Sequence, residues 1–152
     1  GPMSEAAPTS RQLVVFSLGD EEYGLPITQV HEIIRYTEPR SVASNTPWIR
    51  GVISLRGKIV PVYDLGARLS ISGDASAQQK IVIVETDTDM AGVVVDDVEE
   101  VLTVEDGQID DIPAAGSECL EAIAKIDDRL VVLLSAEGIF GDADLDAVAA
   151  AA

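Results

Sequence analysis

The residues that most often perform catalysis or bind metals are scarce in this chain. His31 is the only histidine and Cys119 the only cysteine among 152 residues. Neither has a second His or Cys at the spacing that a zinc site or a Cys–His catalytic pair needs. We therefore interpret His31 as a surface or hydrogen-bonded residue and Cys119 as a small loop or core residue, and we predict no metal site and no cofactor.

Three segments begin like catalytic or ion-binding motifs, but each lacks a required residue. Residues 64–66 (Asp-Leu-Gly) lack the hydroxyl residue that aspartic proteases place between Asp and Gly. Residues 87–98 begin like a calcium loop, but Ala91 supplies no ligand oxygen and the last position is Val instead of Glu. Residues 19–26 have the glycine spacing of a phosphate-binding loop and end in Leu-Pro instead of Lys-Ser/Thr. The chain is therefore predicted not to be an enzyme.

An arginine on a turn marked by glycine indicates recognition instead of catalysis. Arg56 precedes Gly57 between two apolar segments. Its planar guanidinium can donate to a carboxylate or to the carbonyls at the end of a helix. The alternative for Arg56 is a surface ion pair with Glu32.

The charge composition excludes several classes of partner. The chain has 27 Asp and Glu against 10 Lys and Arg, a net charge of −17. Nucleic acids and anionic membranes attract clustered basic residues, so we predict that neither is a partner. No apolar run reaches the roughly 18 residues of a membrane span, so no membrane insertion is expected. The apolar fraction of 47% is that of an ordinary globular protein, which predicts an acidic surface over a normal core.

Short segments rich in Val and Ile alternate with turn residues, a pattern typical of an all-β fold. Strands are predicted at 12–18, 22–26, 52–55, 58–63, 80–85, 91–95, 98–104, 120–126 and 129–134. Apolar spacing at 27–34 predicts a short helix, and 48–50 a single turn. Ser135 is a candidate cap for a short helix ending at Phe140. Pro61 predicts an edge strand or a bulge. Polar loops are expected at 37–47, 70–79 and 105–117.

The two ends of the chain differ in composition from its centre. Residues 1–10 are interpreted as a tag scar followed by a flexible tail, and 141–152 as an acidic, Ala-rich tail or short helix. Residues 11–140 form the predicted domain. A chain of this length buries enough surface to fold without a disulfide or metal, and a single cysteine fits a reducing cytosol.

Seven segments form an ordered series. They are FSLGDEEYGLPI from Phe16, V-x-E-I from Val30, WIRGVISLRG from Trp48, IVPVYDL from Ile59, IVIV from Ile81, GVVVD-x-V from Gly92 and VVLL from Val131. In this order and spacing the series resembles the CheW-like family of chemotaxis coupling proteins, over residues 12–140. Residues 51–65 are the most specific part, and Ser54 departs from the Asn that the family often has there.

The resemblance implies an all-β fold of two small five-stranded SH3-like β-barrel subdomains that share a hydrophobic core, with short helices. It implies a non-enzymatic, cytoplasmic adaptor that couples the tips of chemoreceptors (methyl-accepting chemotaxis proteins) to the regulatory domain of the histidine kinase CheA. Because that domain has the same fold, kinase and adaptor would meet barrel to barrel in a ring within the receptor array. Weak self-association of the adaptor in such rings is also expected.

Candidate binding residues for the receptor follow from the same resemblance. They are Val30, Glu32, Ile33, Arg56, Gly57, Ile81, Gly92, Val98 and Val101. Aliphatic side chains would cover the apolar stripe of a helical hairpin, and the two glycines would allow close backbone approach. For Ile81, Val98 and Val101 the alternative is a place in the core, and for Gly57 a role in its turn alone. Turn tips supply the candidate kinase contacts, namely Gly19, Asp20, Tyr36 and Arg40.

Two other functions stay open at this point. One is a CheW-like regulatory module cut from a CheA kinase or from a receiver-bearing adaptor. A start near Met3 and an end soon after the last predicted strand favour the free adaptor over this alternative. The other is a small β-barrel hydrolase, which needs two convergent carboxylates with separated pKa values. The acidic residues are numerous but scattered, so the sequence nominates no such pair.

The acidic composition makes stability dependent on salt. At a net charge of −17, mutual repulsion disfavours the compact state when ionic strength is low. Raising salt from about 0.01 M to 1 M shortens the Debye length from about 30 Å to about 3 Å. We therefore expect the melting temperature to climb with KCl concentration, measured by calorimetry. A flat or falling curve would show that charge repulsion does not limit the stability of the fold.

Overall fold

The Val- and Ile-rich segments form eleven strands within the part of the chain that the computed structural model describes, residues 9–71, 79–112, 118–141 and 145–150. A six-stranded sheet, here called the terminal sheet, has the order β8 (Asp97–Glu105), β1 (Ser10–Leu18), β2 (Glu21–Pro26), β11 (Arg129–Leu134), β10 (Leu120–Ile126) and β9 (Ile109–Asp111). A five-stranded sheet, the central sheet, has the order β3 (Val30–Arg35), β6 (Lys80–Glu85), β7 (Met90–Val95), β5 (Lys58–Asp64) and β4 (Ile49–Leu55). The predicted all-β fold of two subdomains is confirmed.

Short helices lie between some of these strands and after the last one. They are α1 (Leu65–Arg68), α2 (Ala136–Phe140), α3 (Leu145–Ala150) and two single 3-10 turns, Ile27–Gln29 and Asp106–Gln108. The Ser135 hydroxyl accepts from the Gly138 amide at 3.1 Å and begins α2, so the predicted cap is confirmed. The predicted tail at 1–10 and the predicted loop at 70–79 lie largely outside the described residues, as do 113–117, 142–144 and 151–152.

The hairpins were the most predictable elements. β1 and β2 pair across Gly19-Asp20, β6 and β7 across 86–89, and β10 and β11 across Asp127-Asp128. Each turn contains residues that accept tight-turn geometry, and each flanking segment is rich in apolar residues, which in β6 and β7 are buried on both faces. Local sequence therefore determines these pairings.

The predicted helix at 27–34 is wrong for most of its length. Only Ile27–Gln29 is helical, and the rest is β3, an edge strand paired with β6. A β-bulge between Val30 and Glu32 interrupts the two-residue alternation of the strand. Val30 then packs against one apolar cluster and Ile34 against another. This irregular alternation gave the apolar residues a spacing that imitates a helix.

Three smaller expectations need correction. The predicted turn at 48–50 is short, because β4 already begins at Ile49. The loop predicted at 105–117 contains Ile109–Asp111, which is why the terminal sheet has six strands instead of five. Pro61 lies in an interior strand, but the ladder from β5 to β7 covers only Val62–Asp64. The missing Pro61 N–H therefore removes no hydrogen bond to β7.

The central sheet curls until its two edges meet. Arg40, in the segment after β3, forms an antiparallel bridge with Val52 of β4. The Arg40 amide donates to the Val52 carbonyl at 2.8 Å, and the Val52 amide donates back at 2.9 Å. The backbone of Arg40 passes directly over Gly51, where an added Cβ would lie 2.0 Å from the Arg40 carbonyl oxygen. Only glycine leaves room for this closure.

The terminal sheet curls in the same way. Arg129 of β11 forms two hydrogen bonds of 3.0 Å with Glu22 of β2 and lies 2.7 Å from Glu100 of β8. Two strands, β1 and β2, separate β8 from β11 in the order of the sheet. A side chain can span them only when the sheet bends towards a barrel.

A hydrophobic cluster shared by both sheets joins the two halves. It includes Phe16 and Leu25 from the terminal sheet, Tyr63 and Val93 from the central sheet, and Phe140 from α2. The Tyr63 hydroxyl donates to the Phe140 carbonyl at 2.9 Å. Each sheet also has a cluster of its own. The predicted shared core is thereby confirmed.

None of the helices in the described part of the chain could span a membrane.

Closure of the central sheet predicts a large cost for substituting Gly51. Gly51→Ala must move the Arg40 backbone and also holds alanine at a φ of +149°. We expect the free energy of unfolding in urea to fall by about 2–4 kcal/mol.

Gly107→Ala is the matched control, because no atom of the described residues lies within 4 Å of its added Cβ and its φ is not positive. It should lose no stability. Equal stability of the two variants would show that Arg40 does not pack over Gly51 in solution.

Candidate functional site

Arg56 stands at the tip of the turn between β4 and β5. Both central residues of this turn have positive φ, 50° at Arg56 and 81° at Gly57. Positive φ at both positions is the signature of a type I′ turn, which suits glycine at the second position. Gly57 thus serves its turn, the alternative that the sequence left open, and its contact with a receptor stays a prediction. The Arg56 side chain projects from this tip and is 70% exposed.

The Arg56 guanidinium forms a two-pronged pair with Glu32 of β3. Its Nη2 donates to Glu32 Oε1 at 2.8 Å, and its Nη1 donates to Oε2. This ion pair is the alternative that the sequence left open for Arg56, and contact of Arg56 and Glu32 with a receptor stays a prediction. The hydrogen bonds from Arg56 hold the pKa of Glu32 below its ordinary value, and the same bonds raise the pKa of Arg56. The pair therefore stays charged on both sides at neutral pH.

Two further charged side chains adjoin this pair. His31 Nε2 lies 3.6 Å from Glu32 Oε2, and His31 Nδ1 lies 3.5 Å from Glu85 Oε1 on β6. A β-bulge leaves two residues opposite one on the partner strand, so a single strand segment presents His31 and Glu32 together. Sequence reasoning missed Glu85, because only the pairing of β3 with β6 brings it near.

The aliphatic candidates divide between the two sheets. Val30 of β3 and Val98 of β8 both pack, partly buried, against the shared core. Ile33 is 40% exposed and Val101 is 52% exposed. Large apolar side chains with this exposure are available to a partner. Their predicted role in receptor binding stays a prediction.

Two other candidates lie beneath the surface. Ile81 is fully buried in the apolar cluster of the central sheet, the alternative that the sequence left open. Gly92 is buried in β7, where an added Cβ would lie 2.6 Å from Ile81 Cγ2. Packing against Ile81 accounts for the glycine without any partner. Both positions can affect binding only through the residues that they support.

The candidate kinase contacts lie in two places. Gly19 and Asp20 form the β1–β2 turn, and the Gly19 amide donates to the Asp96 carboxylate at 2.7 Å. Tyr36 is half-buried, and its hydroxyl accepts from Arg50 Nη1 at 2.7 Å. Arg40 is exposed, and its backbone closes the central sheet. The structure gives each a local role, and their contact with a kinase stays a prediction.

Two ion-pair networks could not be predicted from the sequence. Arg50 links Tyr36 to Asp64, whose carboxylate caps α1. Arg129 links Glu22 to Glu100. Arg129 and Glu22 are 107 positions apart in the sequence. No spacing rule connects residues so distant. Among the described residues, no group of three or more His, Cys, Asp or Glu is arranged to hold a metal ion.

Comparison with known proteins gives one consistent result. The family model described as "CheW-like domain" matches residues 12–144. The probable chemotaxis protein CheW of Rhizobium etli is 32% identical over 142 residues, which cover 90% of this chain and 92% of that protein. The chemotaxis protein CheW of Bacillus subtilis is 30% identical, with coverage of 90% and 91%. The crystal structure of the scaffolding protein TtCheW from Thermoanaerobacter tengcongensis superposes with a TM-score of 0.80 at 36% identity, covering 86% of this chain and 92% of that one.

The Arg56–Glu32 pair predicts a specific change in titration. In Arg56→Asn the hydrogen bonds to Glu32 are lost, so the pKa of Glu32 should rise towards the ordinary glutamate range. Asparagine tolerates positive φ, so the turn and the melting temperature should be nearly preserved. Carboxyl ¹³C NMR of the folded protein measures the pKa.

Arg129→Asn is the control, since Arg129 pairs with Glu22 and Glu100 instead. It should leave the pKa of Glu32 low. An unchanged pKa of Glu32 in Arg56→Asn would contradict the paired geometry in solution.

Proposed function

Because this chain belongs to the CheW-like domain family, we propose that it is a non-enzymatic chemotaxis adaptor that couples chemoreceptor tips to the regulatory domain of the histidine kinase CheA. Similarity to chemotaxis and scaffolding proteins along most of the chain supports an adaptor. The observation that carries the coupling proposal is the exposed Arg56 held by Glu32 at the tip of a turn.

The proposed receptor surface combines this polar turn with exposed aliphatic side chains. Ile33 and Val101 offer apolar contact to the stripe of a helical hairpin. Arg56 uses its two terminal nitrogens on Glu32, and each of these nitrogens carries a second N–H. These remaining donors suit a carboxylate or the carbonyls at a helix end. A helix would thus be held by apolar contact and oriented by hydrogen bonds.

The proposed kinase surface is separate from the receptor surface. An adaptor that joins receptor and kinase must hold both at once, so the two contacts overlap little. The candidates at the β1–β2 turn and around Tyr36 and Arg40 belong to different segments from Arg56. We place the protein in the cytoplasm at membrane receptor arrays, where weak self-association in rings would accompany kinase binding. No step requires nucleic acid, a cofactor or membrane insertion.

The two-surface proposal predicts that charge reversal at Arg56 separates the partners. Arg56→Glu places a second carboxylate beside Glu32 and removes the donor fork. We expect receptor-tip affinity to fall about tenfold or more while kinase-domain affinity changes by less than about threefold. Calorimetry with each purified partner on the same folded variant gives both values.

Arg11→Glu supplies a control with the same change in net charge. Arg11 is exposed and, within the described part of the chain, forms a single long ion pair, 3.8 Å, with Asp106. It should bind both partners nearly as the parent does. Equal losses for both partners in Arg56→Glu, or a melting temperature many degrees lower, would rule out two distinct surfaces.

A further inference from the structure

His31 lies between two carboxylates, one near each nitrogen of its ring. Each ring nitrogen faces a different acid, Nε2 towards Glu32 and Nδ1 towards Glu85, at 3.6 and 3.5 Å. A neutral imidazole carries one N–H, so it can donate to only one of these carboxylates. An imidazolium carries two and can attract both. The arrangement is thus complementary to the charged ring.

The groups around His31 leave an excess of negative charge when its ring is neutral. Its own strand contributes Glu32, β6 contributes Glu85, and the β4–β5 turn contributes Arg56. Two carboxylates and one guanidinium give one surplus negative charge. Protonation of the ring cancels this surplus. Among the described residues, no other titratable side chain forms an ion pair with His31 or with Glu85.

One oxygen joins the two ion pairs. Glu32 Oε2 accepts from Arg56 Nη1 and is also the oxygen that lies 3.6 Å from His31 Nε2. A charged imidazole therefore competes with Arg56 for that oxygen and weakens the hydrogen bond between Glu32 and the guanidinium. The freed N–H groups of Arg56, which is already 70% exposed, become available to an acceptor outside the chain.

We propose that His31 is a positioning residue for Arg56: on protonation its ring bridges Glu32 and Glu85, and Arg56 turns towards a carboxylate or helix-end carbonyl of the bound partner. Release of the guanidinium and cancellation of the surplus negative charge act in the same direction. Both strengthen contact with a partner acceptor as pH falls. The link to a receptor tip rests on the proposed function, whereas the link from His31 to Arg56 is a property of the chain alone.

The partner-free test follows Arg56 by NMR. The Arg56 side-chain Nε and Gly57 amide shifts are recorded from pH 8.5 to 5.0, the range that brackets the charge change of an imidazole. Because His31 is the only histidine in the chain, no second imidazole contributes. In the parent these shifts should follow the His31 ring signals. In His31→Gln the pH-dependent change of the Arg56 and Gly57 shifts should vanish, and in Glu85→Gln it should become smaller.

The binding test uses a purified helical hairpin from a chemoreceptor tip of the same organism. Affinity for the parent should rise about three- to fivefold from pH 8 to pH 5.5. His31→Gln should bind with little dependence on pH. His31→Lys keeps a positive charge throughout this range and should bind tightly at both pH values.

The two tests fail separately. If the Arg56 shifts do not change with pH together with the His31 ring signals, the inference is overturned regardless of the result of the binding test. Signals that follow it, with no hairpin binding at any pH, would contradict the proposed receptor contact and leave the link between His31 and Arg56 established. A parent and His31→Gln with the same pH dependence of binding would assign that dependence to other groups and overturn the role in recognition.

Discussion

Burial of apolar side chains between the two curled sheets is the constraint on which the other features depend. The shared cluster takes side chains from β1, β2, β5, β6, β7 and α2, so neither half completes its core alone. The chain crosses between the sheets without a long linker, since β7 ends at Val95 and β8 begins at Asp97. The Asp96 amide donates to the Ser17 carbonyl at 2.9 Å and ties this crossing to β1. The junction is therefore rigid, and Val30 and Val98, which pack on the same cluster from different sheets, are held in fixed relation.

In each half, an arginine forms ion pairs between strands that the curl of the sheet brings together. In the central sheet Arg56 joins the β4–β5 turn to β3, although β4 and β3 lie at opposite edges of the sheet. In the terminal sheet Arg129 joins β11 to β2 and β8. An acidic chain with 27 carboxylates has many acceptors for each arginine, so position decides which pair forms. Arg129 is 36% exposed and has two acid partners, whereas Arg56 is 70% exposed and has one. Arg129 is therefore the more enclosed of the two, and Arg56 is open to a partner.

Local chemistry made the hairpins and the α2 cap predictable, because turn residues and Ser135 act on their immediate neighbours. Local chemistry did not predict β3, because the bulge at His31 gives this strand the apolar spacing of a helix. The pair of Arg56 with Glu32 could be anticipated, yet its two-pronged geometry depends on curling of the central sheet. Burial of Ile81 and Gly92 depends on β6 and β7 lying side by side in the middle of that sheet. Such non-local pairings leave no trace in residue spacing, so a core valine or isoleucine cannot be told from an exposed one by type alone.

The backbone at Arg56 argues that this turn is not optimised for stability. Its φ of 50° lies in the left-handed region, which costs an ordinary L-residue about 1–2 kcal/mol. Asparagine or glycine would fit the same turn with less strain. Exposed ion pairs in general contribute little to folding, so the bond to Glu32 is a weak reason for placing arginine there. Strained residues that persist on a rigid scaffold concentrate at binding sites. A strained, exposed and pre-oriented arginine is better explained by a contact outside the chain than by its contribution to the fold.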